Sequence, residues 1–177
     1  MAYTFLAAQN TNIGNSLLEA EKVEDAKNII LKAHRNNVEM LLPADHRVAR
    51  EIKPDARVEV TQAMAVPDGW TGVDIGPRTE LLFADKIKAA RTIFWNGPVG
   101  IFETPAFAGG SITVANAMAQ ATKSGATTIL GGGDTLSVLK TAKVKAENIS
   151  HCSTGGGASL EFVEGKQLPG LVALSQK

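Results

Sequence analysis

Three glycine-rich turns, each placed between a short apolar run and an amphipathic run, constrain the fold of this sequence more than any other feature. The turns lie at residues 96–100, 131–134 and 154–157. The runs predict strands at 92–95, 127–130 and 150–153, and helices at 111–122, 135–142 and 158–163. Strands that alternate with helices form parallel sheets with helices on their faces. We therefore predict an α/β structure built mostly on a parallel sheet.

The first half of the chain has a less regular pattern. Apolar residues at helical spacing predict helices at residues 19–35 and 79–91. An apolar run before Pro43 predicts a strand at 38–42, and alternating residues predict another at 58–64. These elements add further strands and helices to the same α/β pattern.

Charge and cysteine content exclude several classes of protein. Eighteen basic residues balance eighteen acidic ones, so bulk electrostatic capture of nucleic acid or of an anionic membrane is not expected. Cys152 is the only cysteine, which excludes an intrachain disulfide and favours a reducing compartment. No apolar run approaches the ~20 residues of a membrane helix, and the N-terminus lacks a signal-peptide pattern. We therefore expect a cytoplasmic protein.

The glycine turns are the candidate binding elements. Each lies at the carboxyl end of a predicted strand, where ligands bind in folds of this type. A helix N-terminus offers unpaired N–H groups and a partial positive charge, and glycine lets a phosphate approach the backbone closely. The alternative is that the glycines only allow tight chain reversal. Two triple-glycine turns beside a Gly-Pro-Val-Gly turn favour an anion site.

Asp134 follows the second triple glycine and has two interpretations. It is either a ligand of Mg²⁺ bridged to substrate phosphates or an ordinary N-cap of the next helix, and the spacing alone does not separate them. Neither common nucleotide motif is present. There is no P-loop sequence, and position 136 is leucine where a dinucleotide motif needs glycine.

The remaining chemistry-bearing residues form no recognisable site. His34, His46 and His151 lack metal-ligand spacing, and Cys152 beside His151 points the opposite way on a strand, so neither a zinc centre nor a Cys–His pair is expected. The two tryptophans, at positions 70 and 95, either stack on a base or pack structurally, and packing is the simpler reading.

Long motifs along the whole chain resemble phosphoglycerate kinase. Residues 95–103 (WNGPVGIFE) are similar to the nucleotide-binding segment of that family. Residues 131–135 (GGGDT) and 153–161 (STGGGASLE) resemble its two later glycine motifs. Residues 69–77 (GWTGVDIGP) resemble a fourth motif, and residues 1–6 (MAYTFL) a helix that follows another triple-glycine turn.

The resemblance implies a reaction and a fold. The family transfers a phosphoryl group between 1,3-bisphosphoglycerate and MgADP, which gives 3-phosphoglycerate and MgATP. Residues 1–177 resemble part of its C-terminal nucleotide-binding domain, a three-layer α/β/α Rossmann-like domain, here expected to be incomplete at its N-terminal side. The implied ligands are ADP or ATP with Mg²⁺, and the complete enzyme is expected to be a monomer.

The resemblance also implies which residues contact the nucleoside. Glu103 accepts hydrogen bonds from the ribose hydroxyls. The residues that it places at the adenine are Gly72, Val99, Phe102, Gly97 and Leu17.

A second set of residues is implied at the phosphates. Asp134 holds Mg²⁺, which selects the metal interpretation over the cap. The backbone N–H groups of Gly133 and Gly157 point at the transferred phosphoryl group and make these the catalytic positions. The residues that lie at or near the nucleotide phosphates are Asn96, Gly132, Gly133 and Thr135.

Two departures from the family pattern limit the expected activity. The N-terminal substrate domain, with its basic patch, and a lysine-bearing glycine motif have no counterpart in this sequence. The expected function is therefore the nucleotide half of the kinase, inactive alone. A non-catalytic nucleotide-binding module is the alternative, and an NAD(P)-dependent oxidoreductase is disfavoured by the failed dinucleotide motif.

Overall fold

The computed structural model describes residues 1–174, which divide into two compact units. The first unit consists of Met1–Phe83 and Val99–Gly110, and the second of Ala84–Pro98 and the chain from Ser111 onward. Each unit contains one three-stranded sheet. Neither unit is a continuous stretch of chain, because the polypeptide passes from one unit to the other three times.

The helices and strands of the described residues alternate along the chain only from residue 71 to residue 163. The helices are α1 (Ala2–Ala8), α2 (Val23–Arg35), α3 (Pro77–Ala89), α4 (Gly109–Lys123), α5 (Gly133–Thr141), α6 (Gly156–Val163) and α7 (Pro169–Leu174). The strands are β1 (His46–Ala49), β2 (Val58–Val60), β3 (Thr71–Ile75), β4 (Thr92–Asn96), β5 (Thr127–Gly131) and β6 (His151–Ser153). Short 3₁₀ turns lie at Ala20–Lys22, Pro105–Phe107 and Ala146–Asn148.

The sheet of the first unit is antiparallel. Its strand order is β2-β1-β3, and the pairing of β1 with β3 is interrupted by an irregularity between Arg47 and Val48. Ala49, Val73 and Phe107 form a fully buried cluster against this sheet. Burial of such side chains supplies the main stabilising free energy of a domain of this size.

The sheet of the second unit is parallel, with the order β4-β5-β6. Trp95 and Leu130 on adjacent strands are buried, as are Ala115 and Met118 on α4. Val138 of α5 is also fully buried. Short apolar strands buried in this way are typical of parallel sheets.

The predicted α/β class is confirmed, and the fold is Rossmann-like. The strands predicted at 92–95, 127–130 and 150–153 occur as β4, β5 and β6, with each boundary within one residue. The helices predicted around the glycine turns occur as α4, α5 and α6. The antiparallel sheet of the first unit was not predicted.

Two strand predictions in the first half need correction. Residues 38–42 are not a strand, because they pair with no strand among residues 1–174, and Val38 is 60% exposed. The strand predicted at 58–64 ends at Val60, because the Thr61 hydroxyl donates to the Ala63 carbonyl at 2.6 Å and turns the chain.

Two strands were missed because their sequences are not apolar. Strand β1 carries His46 and Arg47, and β3 carries Gly72 and Asp74. His46 and Asp74 are nevertheless buried, and each is satisfied by hydrogen bonds from outside its own strand. Hydrophobic periodicity does not report strands whose buried positions are polar.

Candidate functional site

The carboxyl ends of the three parallel strands lie side by side in the second unit. Asn96 at the end of β4 pairs with Gly131 at the end of β5, and Gly131 pairs with Ser153 at the end of β6. Each of these residues leads directly into one of the glycine turns. The three turns therefore lie along one edge of this sheet, where ligands bind in folds of this type.

A buried hydroxyl group joins the first two turns. Thr135 is 1% exposed, and its Oγ1 accepts a hydrogen bond from the Gly97 N–H at 2.8 Å. The same hydroxyl donates to the Gly131 carbonyl at 2.8 Å. Because a hydroxyl has a single O–H to donate, the Thr135 side chain has no proton left for a phosphate oxygen. Only its backbone N–H can serve the phosphate role that the resemblance implies.

Helix α5 begins without a side-chain cap. Its N-cap is Gly132 at φ +97°, a conformation that glycine adopts without strain. The first helical hydrogen bond runs from Leu136 N–H to the Gly132 carbonyl at 3.1 Å. The N–H groups of Gly133, Asp134 and Thr135 therefore lie ahead of the helical ladder and are available to an acceptor from outside the helix.

Helix α6 begins in the same way and close to α5. Its N-cap is Gly155, again without a side-chain hydrogen bond. The Gly132 N–H donates to the Ser153 carbonyl at 3.0 Å, and a Cβ added to Gly132 would lie 3.8 Å from the Gly156 Cα. Two uncapped helix N-termini thus lie next to each other, and both offer N–H groups and positive dipole ends to an anion. We call the two glycine turns that lead into these helices, residues 131–134 and 154–157, the glycine cradle.

Two positions of the glycine cradle are glycine without any structural need. A Cβ at Gly133 or Gly157 would meet no heavy atom within 4 Å, and neither residue has a left-handed φ. Both residues are exposed. Chain reversal and packing therefore do not require glycine at these positions, whereas close approach of a ligand to the backbone does.

Asp134 does not cap helix α5. The cap is Gly132, and Asp134 lies one residue inside the helix, exposed. The N-cap interpretation is therefore wrong. One exposed carboxylate beside N–H groups that lie ahead of the helical ladder fits Mg²⁺, which proteins hold with one or two carboxylates plus substrate phosphates. Among residues 1–174, no group of three or more His, Cys, Asp or Glu side chains could form an all-protein metal cage.

Gly72, the first residue assigned to adenine, lies on β3 in the first unit. Its N–H donates to the Ser16 Oγ at 2.9 Å, and a Cβ here would lie 1.8 Å from the Tyr3 hydroxyl oxygen. Packing of Tyr3 therefore requires glycine at position 72. Burial and the neighbouring Asp74 charge raise the pKa of Tyr3, so the phenol stays neutral. Leu17, also assigned to adenine, is 77% exposed.

Three other nucleoside residues lie on the loop that begins at Val99, whereas Gly97 lies before it, in the second unit. The Ile101 N–H donates to the Val73 carbonyl at 2.9 Å, which fixes this loop beside β3. Phe102 is buried, with 8% of its surface exposed. Glu103, the next residue, is exposed and presents its carboxylate to solvent. The structure thus fixes Val99, Phe102 and Glu103 on a loop tied to the strand of Gly72.

Both tryptophans have structural partners. The Arg50 guanidinium lies over the Trp70 ring, 4.7 Å from its centroid, in a cation–π contact. Trp95 is buried, and its Nε1–H donates to the Gly97 carbonyl at 2.7 Å. These contacts favour packing over base stacking for both residues.

His46 is a buried structural histidine. Its Nε2 lies 3.0 Å from the Met64 carbonyl, and its Nδ1 lies 3.4 Å from the Tyr3 hydroxyl. Burial lowers the pKa of His46 against the opposing effects of the Met64 hydrogen bond and the Asp45 charge.

No helix within residues 1–174 combines the length and the apolar character needed to cross a bilayer.

Two buried carboxylates of the first unit were missed by the sequence interpretation. Asp45 accepts hydrogen bonds from the Arg78 and Thr79 N–H groups at 3.0 and 2.8 Å, so it caps α3 from outside the helix. Asp74 accepts from the Ile75 and Gly110 N–H groups at 2.8 and 2.7 Å. The available signal was Asp74 itself, a charged residue between the apolar residues Val73 and Ile75.

Parallel strands that deliver glycine turns to uncapped helix N-termini are typical of α/β proteins that bind phosphate groups. The family model described as phosphoglycerate kinase matches residues 1–166. The chain is 55% identical to the phosphoglycerate kinase of Elusimicrobium minutum over 176 residues, and 51% identical to that of Clostridium perfringens over 177 residues. These alignments cover 99% and 100% of this chain. The chain belongs to the phosphoglycerate kinase family, which is a family of kinases.

Solved structures agree with this assignment. Phosphoglycerate kinase from Coxiella burnetii has a TM-score of 0.86 and 44% identity over 93% of this chain. The enzyme from Pyrococcus horikoshii has a TM-score of 0.78 and 28% identity over 98% of this chain. The chain spans about 44% of the length of the curated relative from Elusimicrobium minutum and 42% of the Coxiella burnetii chain.

Proposed function

We propose that this chain is the nucleotide-binding part of an enzyme that transfers a phosphoryl group between 1,3-bisphosphoglycerate and MgADP. The products are 3-phosphoglycerate and MgATP. The observation that carries the proposal is the glycine cradle, in which the uncapped N-termini of α5 and α6 lie together at the ends of parallel strands. Membership of the kinase family selects the reaction from among those of phosphate-binding proteins. We place the reaction in glycolysis and in the cytoplasm.

The cradle binds the phosphates through backbone groups. The N–H groups of Gly133 and Gly157 donate to the transferred phosphoryl group, and the neighbouring N–H groups of α5 hold the other phosphate oxygens. Bound Mg²⁺ would supply positive charge to offset the negative charge of these oxygens. Asp134 is the residue that would hold it. Fixed donors of this kind stabilise developing charge without having to reorganise during the reaction.

The nucleoside binds at residues of the first unit. We propose that Gly72, Val99 and Phe102 line the adenine site and that the Glu103 carboxylate accepts hydrogen bonds from the ribose hydroxyls. Support comes from the Ile101–Val73 hydrogen bond, which fixes the loop of Glu103 beside β3. Exposure of the Glu103 carboxylate leaves it accessible to a ligand.

We propose that the chain does not catalyse transfer by itself. It spans about 44% of the length of the Elusimicrobium minutum relative. The acid substrate carries several negative charges, and the described glycine cradle offers backbone donors but no lysine or arginine side chain of its own. Cationic groups elsewhere in a longer enzyme would have to supply that charge.

The test uses two proteins. One is the 177-residue chain, and the other is a chimaera in which this chain replaces the matching part of the Elusimicrobium minutum enzyme. Titration calorimetry measures MgADP binding, and a coupled assay measures turnover. We expect turnover only in the chimaera, and tighter MgADP binding there than in the chain. Turnover by the chain alone would contradict the proposal that catalysis needs the rest of a longer enzyme. MgADP binding without turnover in the chimaera would favour a non-catalytic module.

The chimaera also tests the role of Asp134. Asp134→Asn should lower kcat about a hundredfold or more, because a group that stabilises transition-state charge is lost. The fold should be unaffected, because Gly132 rather than Asp134 caps α5. Turnover near the unmodified value at saturating Mg²⁺ would remove the metal assignment.

A further inference from the structure

Asp74 lies fully buried under both ends of the loop formed by residues 100–110. Its Oδ2 accepts a hydrogen bond from the Gly110 N–H at 2.7 Å, at the start of α4, and lies 3.4 Å from Arg47 Nη1. Its Oδ1 accepts from the Ile75 N–H at 2.8 Å. One carboxylate thus connects strand β3, the arginine of β1 and the first turn of a helix.

The glycines at both ends of this loop fit the same carboxylate. A Cβ at Gly100 would lie 2.3 Å from Asp74 Oδ1, and a Cβ at Gly110 would lie 2.4 Å from it. Neither glycine has a left-handed φ, so backbone conformation does not require glycine there. The close approach of the carboxylate does, since no side chain fits at such distances.

We propose that Asp74 is a positioning residue that sets the loop of residues 100–110, and thereby the ribose-binding carboxylate of Glu103. The effect on nucleotide binding rests on the proposed function, whereas the ordering of the loop does not. Asp74 lies on β3 two residues from Gly72, so one strand would position two parts of the nucleoside site.

The energetics argue against a purely stabilising role. Burial raises the pKa of Asp74 to about 6, although the Gly110 and Ile75 N–H groups and Arg47 favour the charged form. Arg47 is also shared with Glu80 and donates to the Ile75 carbonyl at 2.7 Å. The cluster therefore holds two carboxylates on one arginine, and the buried charge is retained at a cost in stability.

Asp74→Asn is the sharpest variant. Both carboxylate oxygens accept backbone N–H groups, whereas an amide has one oxygen and a donor NH₂. In the variant, the backbone N–H of either Gly110 or Ile75 therefore faces the amide NH₂ group and has no acceptor. Asp45→Asn is the matched control, because Asp45 is also buried, lies 2.2 Å from a Cβ position at Gly76, and accepts N–H groups with both oxygens, but at α3.

Hydrogen exchange of the 177-residue chain reads out the loop directly. We expect Asp74→Asn to lower protection of residues 100–110 about tenfold, the scale of one charge-assisted hydrogen bond. Asp45→Asn should instead lower protection at the start of α3. Equal loss in all peptides, or no change in residues 100–110, would overturn the proposal.

Acidification of the unmodified chain provides a second test without substitution. Because the pKa of Asp74 is raised while the loop is closed, opening that returns the carboxyl group to water is disfavoured when the group is protonated, so protection factors of residues 100–110 should rise as the pH falls through about 6. The groups that face Asp74 are Tyr3 from α1, Arg47 from β1 and Glu80 from α3. This pH dependence of the protection factors should be absent in the Asp74→Asn variant. If it persists there, another titrating group causes it.

Nucleotide affinity of the chimaera then separates the two proposals. Asp74→Asn should raise the MgADP dissociation constant about tenfold with a smaller effect on kcat, and Asp45→Asn should leave the constant unchanged. A loosened loop with unchanged MgADP affinity would overturn the link between Asp74 and nucleotide binding. If the unmodified chimaera binds no MgADP, the proposed function is contradicted. Hydrogen exchange would in that case still show whether Asp74 orders residues 100–110.

Discussion

Replacement of single glycines in the cradle should separate folding from binding. Gly133→Ala adds a methyl group where no heavy atom lies within 4 Å and where φ is not left-handed. In a helical first turn, exchange of glycine for alanine stabilises the folded chain by about 0.4–1 kcal/mol. The free protein should therefore become slightly more stable, with a higher Tm.

The same methyl group should weaken nucleotide binding. In the proposed function, it occupies the space through which a phosphate oxygen would reach the Gly133 N–H. Loss of one charge-assisted hydrogen bond costs about 1.5–3 kcal/mol, which corresponds to about a 10- to 100-fold rise in the dissociation constant. Gly157→Ala should behave in the same way, because its added Cβ also has no neighbour within 4 Å.

Calorimetry with MgADP and with a non-hydrolysable MgATP analogue, together with thermal unfolding of the chimaera, measures both effects. Gly125→Ala is the control, since Gly125 has φ +91° and lies outside the cradle. It should cost about 1–2 kcal/mol of stability and leave affinity unchanged. Unchanged affinity in both Gly133→Ala and Gly157→Ala would refute nucleotide binding by the glycine cradle. Unfolding of these variants would refute the free space found around the two glycines.

Three further predictions concern single side chains. Glu103→Ala should weaken MgADP binding by about 1–3 kcal/mol in calorimetry, and an unmoved constant would show that Glu103 does not contact the ribose. Thr135→Ala should lower the free energy of unfolding by about 1–3 kcal/mol in urea titration, because the Gly97 N–H loses its acceptor, whereas Thr135→Ser should retain most of it. Because Asp74 has a raised pKa in the folded state, its contribution to stability should fall as the pH rises from about 4 to about 6, and Asp74→Asn should flatten that part of the curve.

The parallel sheet was predictable because its strands carry a strong local pattern. Strands β4 and β5 are short and apolar, all three strands run into glycine turns, and their boundaries were predicted closely. The antiparallel sheet was not predictable in this way. Its strands bury His46 and Asp74, whose polar atoms are satisfied by the Met64 carbonyl and the Gly110 N–H, both distant in sequence.

The candidate site was predictable to the level of its backbone. Glycine turns at strand ends predicted that the two turns lie together, and the structure places Gly132 and Gly156 next to each other. The roles of the side chains could be assigned only from the structure. The cap of α5 is Gly132 and not Asp134, and the Thr135 hydroxyl is committed to Gly97 and Gly131.

The discontinuous path of the chain has a consequence for synthesis on the ribosome. The first unit includes Val99–Gly110, so its last loop emerges only after β4 of the second unit has been made. Strand β4 can pair with its neighbour β5 only after the whole of α4 has been synthesised. During that interval β4 lacks its partner β5, and an apolar strand edge without its partner is the kind of segment that recruits other chains. Nascent chains stalled between residues 98 and 127 should therefore depend most strongly on chaperones.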